Sequence, residues 1–377
     1  MALSEQHTPY LFDFTGNPFA FRMRGDYAGD FLIVARLFVE KTYKAGDYEQ
    51  VPDNYMNPDN NLEVDFYPGT ILQAYFEDTD IASLFNLSGI NLTTKAVKRY
   101  YIEFYEYYDS SLNNLHTTST YYAINGKLPW AEFPNHDWLN NKGTEWLNVQ
   151  TDKIRTWKTA RQYLYFLYTN STTNDVELQA TIYYTDKSSE NHTLTTRSNV
   201  EQYDVLLMPA GYTQLSIESY SSKTPYRYDL SLHIVGGSQI GETLKFYLEN
   251  QPWWGREFLL LDTRYGIFET LLAAGKESRN ISSEKEESRK HVPYSYSATD
   301  RQIVQRTRKT EKEHTCNTGL MTLAEAERFE KMLHDTVYRI DDNGMVPVIV
   351  TSTSLGTVDE NNDMHNVEFS YKTAYEL

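Results

Sequence analysis

The stretch PWWGREFLLLDTRYGIFETLLAAGK, residues Pro252–Lys276, places one apolar run on each side of a polar break. Short apolar runs joined by a segment that contains glycine are typical of two antiparallel strands. We therefore predict a β-hairpin that turns at Asp262–Gly266. Trp253 and Trp254 precede it, in a local turn between a proline and a glycine, so their side chains should point in different directions. We expect one ring to pack on the core of the hairpin and the other to face a partner or solvent.

The rest of the chain also has the composition of a β protein. Tyrosine occurs 31 times in 377 residues, and tyrosine fits half-buried sheets and contact surfaces. Apolar and aromatic runs separated by Gly, Asn, Asp and Pro favour a mainly β fold with β-sandwich-type domains. We predict an N-terminal β-sandwich-like domain over residues 1–200 and a C-terminal β-rich assembly domain over residues 201–377. The clearest predicted strands of the first half are Phe19–Met23, Phe31–Val39, Lys98–Tyr108, Arg161–Thr169 and Val176–Asp186.

A charged segment at residues 276–315 follows the predicted hairpin, with ten Lys or Arg against seven Asp or Glu. Its first part, KESRNISSEKEESRKH, is typical of a solvated loop, and its second part, RQIVQRTRKTEKEHT, of a long polar strand. Two alternatives fit this strand: an exposed hairpin, or an arm that pairs with a neighbouring subunit. The residues that we predict to contact neighbouring subunits are Trp253, Trp254, Arg264, Arg301, Arg306, Arg308 and Lys309.

One amphipathic helix is predicted at residues 322–340, within TLAEAERFEKMLHDTVYRI. Thr322 and Glu325 have the spacing of a capping box, and apolar residues recur after them at helical spacing. Such a helix should pack on a sheet. We predict two further strands after it, at Val346–Ser352 and His365–Tyr371.

The sequence contains no established catalytic or cofactor motif. It has no glycine-rich phosphate loop, no serine nucleophile elbow and no HExxH zinc motif, so we predict no cofactor and no metal. The single cysteine, Cys316, excludes an intrachain disulfide. His314 lies two residues before it and would share its face of a strand, but nothing marks an oxyanion site. We therefore favour an ordinary thiol.

Charge and targeting signals limit the partners that we expect. The net charge of −17 repels phosphate backbones, so we expect no nucleic acid. The start, MALSEQHTPYLFDF, has no pattern of a secretory signal, and no apolar run is long enough to span a membrane. We expect assembly in a cytoplasm. The loops Asp53–Asn61 and Asp359–Asp363 are rich in Asp and Asn, which fits ordinary turns better than calcium sites.

The second half of the chain resembles structural proteins of bacteriophage tails, especially baseplate or distal-tail proteins of phages of gut bacteria. The resemblance covers about residues 240–377. It rests on WGREFLLLDTRYGIFETLLAAGK, a long charged stretch, a short helix, VYRIDDNGMVPVIV and the terminal NVEFSY. These are packing patterns, so the resemblance implies a role in a symmetric ring or baseplate around a tail tube and transfers no catalytic residue.

The hypothesis from the sequence is a non-enzymatic virion subunit of a phage tail or baseplate. It would form a ring or collar through β-rich interfaces and an exchanged strand arm. Its partners would be copies of itself and other tail proteins, without membrane insertion. The alternative is a carbohydrate-binding adhesin or receptor-binding module that contacts glycans through exposed aromatic rings. A glycan-cleaving enzyme with paired carboxylates is a third class.

Overall fold

The computed structural model describes residues 3–27, 29–76, 81–130, 139, 143–148, 153–291, 294–295, 297, 303–341, 344–359 and 363–374. The fold is mainly β, with 53% strand and 7% helix, which confirms the predicted fold class. The internal contacts divide the chain into two compact units. The N-terminal unit comprises Met1–Asn250 and Leu261–Glu269, and the C-terminal unit comprises Gln251–Leu260 and Thr270–Leu377. In the described residues, no helix has both the length and the apolar character needed to cross a bilayer.

The N-terminal unit is built from short strands and two helices of one to two turns. The helices are α1 (Gly69–Gln73) and α2 (Ile81–Phe85). The strands are β1 (Ser4–His7), β2 (Phe12–Phe14), β3 (Phe21–Arg24), β4 (Leu32–Glu40), β5 (Tyr48–Gln50), β6 (Asn54–Met56), β7 (Glu63–Phe66), β8 (Asn91–Leu92), β9 (Val97–Tyr108), β10 (Ser111–Thr117), β11 (Tyr121–Ile124), β12 (Lys153–Thr156), β13 (Tyr163–Leu167), β14 (Asn174–Tyr184), β15 (Ser189–Val200), β16 (Val205–Pro209), β17 (Pro225–Ile234) and β18 (Leu244–Leu248).

Two sheets enclose the first core of this unit. One has the order β1-β3-β7, and the other has the order β2-β11-β9-β4-β5, with β10 on β9 and β6 on β4. In β9, alternate side chains such as Tyr100, Ile102 and Phe104 are buried, because successive side chains of a strand point to opposite faces. Phe21 of the smaller sheet contacts Tyr121 of the larger one edge to face, with ring centroids 5.0 Å apart.

A second core of the same unit lies among the sheets β12-β18-β17-β14-β15 and β13-β16-β8. Trp146 and Phe166 belong to it, and so do Tyr228 and Phe246, whose rings stack with centroids 4.9 Å apart. β14 pairs with β15 on one side and β17 on the other, and Val200 at the end of β15 is buried in this core. The predicted boundary near residue 200 is therefore wrong, since it would cut through this sheet.

The C-terminal unit contains one seven-stranded sheet with the order β20-β19-β23-β24-β25-β22-β21. The predicted hairpin of β19 and β20 and the predicted last strands are confirmed. Residues of the helix α3, including Ala326 and Phe329, share a buried core with Phe369 of the sheet. The elements are β19 (Arg256–Asp262), β20 (Ile267–Ala273), β21 (Ser278–Arg289), β22 (Ile303–Asn317), α3 (Leu323–Met332), β23 (Val337–Asp341), β24 (Gly344–Asp359) and β25 (Met364–Thr373).

The start of α3 agrees with the sequence-based prediction, but its end does not. Thr322 is the N-cap and forms the capping box with Glu325. The helix ends at Met332 instead of residue 340. The following residues form β23, which pairs with both β19 and β24 and buries Val337 and Ile340. The apolar residues of the sequence keep helical spacing up to residue 340. Ladder hydrogen bonds on both sides and β-branched residues nevertheless favour a strand there.

Candidate assembly interface

A long hairpin of β21 and β22, which we call the arm, leaves the sheet of the C-terminal unit. The two strands pair antiparallel over the full length of β21. β22 also pairs with β25, but only from His314 to Asn317. In the described part of the chain, β21 alone pairs with the portion of β22 before His314. Every side chain of β21 is exposed, so most of the arm is a two-stranded ribbon without a buried face.

The first strand of the arm differs from the sequence-based prediction. The residues KESRNISSEKEESRKH, predicted to be a solvated loop, contain β21. A strand that buries neither face has no alternation of apolar and polar residues, so its sequence has the composition of a loop. Residues of both parts thus form one hairpin, and the choice between a hairpin that stays exposed and an arm that pairs with a neighbouring subunit stays a prediction.

Glu277, immediately before β21, anchors the base of the arm. Its Oε1 accepts hydrogen bonds from His314 Nδ1 at 2.9 Å and from the Tyr371 hydroxyl at 3.0 Å. Its Oε2 forms an ion pair with Arg256 Nη2 at 2.5 Å. Strands β19, β22 and β25 therefore contribute partners to one carboxylate, which ties the arm to the sheet.

Burial and the ion pair with Arg256 set the protonation states of Glu277 and Cys316 at the base of the arm. Burial by itself would raise the pKa of Glu277, but Arg256, together with Tyr371 and His314, holds that pKa below its usual range. Burial and then the nearby Glu277 charge raise the pKa of the Cys316 thiol to about 12. At neutral pH the carboxylate is ionised and the thiol is protonated. This arrangement suits anchoring the arm and provides no thiolate nucleophile.

Cys316 is therefore expected to resist alkylation in the native protein. Its thiol is buried, and a pKa of about 12 leaves very little thiolate at neutral pH. We expect iodoacetamide to react about a thousandfold more slowly than with an exposed cysteine. Mass spectrometry of the labelled chain measures the rate, and the urea-unfolded chain is the control. Native labelling as fast as labelling in urea would contradict this expectation.

Trp253 and Trp254 lie in the turn before β19 and have different environments. Trp253 is 82% exposed. Trp254 is half-buried, and its Nε1 donates to the carbonyl oxygen of Ala274 at 2.9 Å, just after β20. The two rings meet edge to face, with centroids 5.2 Å apart. Trp254 is thus held against the end of the hairpin, and Trp253 is the ring that is available for contact.

The predicted contact cations lie in different places. Arg306 lies in β22, where its Cα partner across the arm is Glu286. Arg264 lies in the turn between β19 and β20, which belongs to the N-terminal unit, and its Nε is 2.9 Å from Asp262 Oδ1. The structure therefore assigns Arg264 a partner within its own turn. The side chains of three further predicted residues lie outside the described part of the structure: Arg301, Arg308 and Lys309.

The Asp/Asn-rich loops have structural roles where they are described. The carboxylate of Asp53 accepts two hydrogen bonds from Arg36, each 2.9 Å long. Asp59 accepts the backbone N–H groups of Asn61 and Glu63, as in an Asx turn. Residues 360–362 of the second loop lie outside the described residues. Within the described ones, no group of three or more His, Cys, Asp or Glu is placed to hold a metal.

Arg256, Glu277 and Tyr371 are not among the site residues predicted from the sequence. Glu277 and Tyr371 are 94 residues apart and belong to no local motif. The sequence predicts that His314 and Cys316 share one face of a strand. The hydrogen-bond partner of His314 is Glu277. The order of strands in the sheet brings these residues together, and no pattern in the sequence indicates that order.

The C-terminal unit thus presents an anchored, exposed hairpin and an exposed indole. No protein-family model matches the chain, and no curated protein is significantly similar to it.

Proposed function

We propose that the protein is a non-enzymatic structural subunit of a phage tail or baseplate that joins copies of itself into a ring or collar. The observation that carries this proposal is the arm. A two-stranded ribbon is marginally stable in water, so a ribbon of this length is best explained by a partner. We place the subunit in the tail of the virion, assembled in the host cytoplasm, with other tail or baseplate proteins as further partners.

The outer edge of β21 supports this proposal. An edge strand presents unpaired N–H and C=O groups that can template pairing with another chain. β21 also carries charged side chains such as Lys285 and Glu286, which limit unspecific edge pairing. An arm that contacts a different surface of the next copy would make a heterologous interface, and such interfaces generate rings where the rotation between copies closes.

A shortened arm tests the proposal. Replacing residues 282–311 by Asn-Gly would join the Cα partners Ile281 and Lys312 through a two-residue turn. We expect the full chain to form a closed oligomer and the shortened chain to remain monomeric in sedimentation velocity. Thermal midpoints within about 2 °C of each other would show that the core is intact. A full chain that stays monomeric across the accessible concentration range would contradict the proposal.

The exposure of Trp253 favours a second candidate, a carbohydrate-binding module. Exposed indole rings stack on sugar faces, and Trp253 is 82% exposed. In this case the chain with the shortened arm would still bind a glycan array, and Trp253→Ala would abolish binding. Trp254→Ala is a poorer test, because its indole also holds the carbonyl of Ala274. Glycan turnover would instead indicate the third class, an enzyme.

A further inference from the structure

Side-chain alternation separates the charges of the arm onto two faces. Cα partners across an antiparallel pair share a face, and the register of the arm shifts by one residue between Glu284 and Lys285. This register, with its shift, assigns each described side chain of the arm to one of two faces. The basic face is defined by Arg279, Lys285, Arg289 and Lys312. The acidic face is defined by Glu284, Glu286, Glu311 and Glu313.

A few residues reduce the difference in charge between the two faces without reversing it. Glu287 lies on the basic face, where its Oε1 accepts a hydrogen bond from Gln305 at 2.6 Å. Arg306 lies in register with Glu286 on the acidic face. The basic face therefore keeps an excess of cations, and the acidic face keeps an excess of carboxylates toward the base of the arm. One hairpin carries two surfaces of opposite sign.

A second copy of the chain fits both surfaces. The net charge of −17 makes two copies repel each other at a distance, so an attractive contact must use regions where the charges are complementary. The two faces of the arm supply such a contact within a single sequence. Complementary charges across an interface fix partner choice and register more than they add affinity. Charge complementarity therefore favours another arm over an unrelated acidic or basic partner.

We propose that the arm of one copy stacks its basic face on the acidic face of the arm of the next copy. The inference rests on the proposed self-assembly and adds the surfaces that produce it. Contact between unlike faces is heterologous, so it continues from copy to copy and forms a ring where the rotation between copies closes. Edge-to-edge pairing of two β21 strands would instead be isologous and would stop at a dimer.

Charge reversal on each face tests this arrangement. One variant carries Lys285→Glu and Lys312→Glu, and the other carries Glu284→Lys and Glu311→Lys. Each is expected to weaken self-association at least tenfold in sedimentation equilibrium, because its two faces then have the same sign. An equimolar mixture of the two variants is expected to recover the assembly of the wild type. The matched control Lys285→Arg with Lys312→Arg should assemble like the wild type.

The possible results separate this inference from the proposed function. Recovery only in the mixture supports stacking of unlike faces. A wild-type oligomer that survives both reversals overturns the stacking and leaves the structural role intact. A stable dimer whose dissociation constant is unchanged by the charge reversals indicates edge pairing and also overturns the stacking. A wild-type chain that is monomeric at every concentration overturns both proposals. Circular dichroism of each variant verifies that the exposed substitutions leave the fold unchanged.

Discussion

Replacing Glu277 by alanine is expected to lower the free energy of unfolding of the C-terminal unit by about 3 kcal/mol. The substitution removes the acceptor of the His314 and Tyr371 hydrogen bonds and the ion-pair partner of Arg256. Removing one partner of a half-buried pair costs more than the pair itself contributes, because the remaining charge stays partly desolvated. Urea unfolding measures the loss. Hydrogen exchange should also become faster at the base of the arm, where β22 pairs with β25.

The ionisation of Glu277 makes this effect depend on pH. Its folded pKa lies below the ordinary value of 4.5, so its contribution is complete above that pH and is lost as the pH falls through the folded pKa. The difference in free energy of unfolding between the wild type and Glu277→Ala should therefore become smaller in acid. Glu249→Ala is the matched control, since its exposed ion pair with Arg155 should contribute less than about 1 kcal/mol. Equal losses in the two variants would show that Glu277 is not an anchor.

Replacing Asp13 by asparagine is expected to stabilise the N-terminal unit at mildly alkaline pH by up to about 5 kcal/mol. Asp13 is 1% exposed and lies in β2 between the buried residues Phe12 and Phe14. Burial raises the pKa of its carboxyl from 3.8 to about 8, which exceeds the lowering by a backbone hydrogen bond at Tyr10. Asparagine has nearly the same shape and carries no charge that must be desolvated.

The carboxyl of Asp13 contributes to stability with a pH dependence opposite in sign to that of Glu277. Below pH 3.8 Asp13 is protonated in both the folded and the unfolded state, so its ionisation should contribute little to the stability difference between wild type and Asp13→Asn. Between pH 3.8 and about 8 the carboxyl ionises only on unfolding, so the wild type loses stability as the pH rises. Unfolding in urea across this range should show a growing advantage of Asp13→Asn. An advantage that does not change with pH would overturn the assignment.

Asp65→Asn provides the matched control for Asp13. Arg22 bonds both oxygens of Asp65, at 2.7 and 2.8 Å, and holds the pKa of that carboxyl below its usual range. Asp65→Asn should therefore weaken the protein above the ordinary carboxyl pKa and lose its effect in acid. Opposite pH slopes for the two aspartates would show that environment, and not residue type, sets their contributions.

Local patterns in the sequence predict several elements of the fold well. Alternating apolar residues predict β9, and the apolar runs on both sides of Asp262–Gly266 predict the hairpin of β19 and β20. Thr322 and Glu325 predict the first turn of α3 because capping involves only neighbouring residues. Each of these signals arises from residues that contact each other within one element or across one turn.

The elements that the sequence misassigns depend on distant partners. β21 has no apolar face, and its strand state depends on β22. β23 is a strand because β19 and β24 pair with it on both sides. Ladder hydrogen bonds join chain segments that are far apart in sequence, so periodicity within a segment cannot report them.

By itself, the sequence determined the mainly β class, the β19–β20 hairpin and the start of α3, because the forces behind these features act between near neighbours. Tertiary structure alone decided the division after Asn250, the length of the arm and its anchor at Glu277. The anchor needs Arg256, His314 and Tyr371 on three different strands. Only the order of the strands in the sheet places those side chains around one half-buried carboxylate.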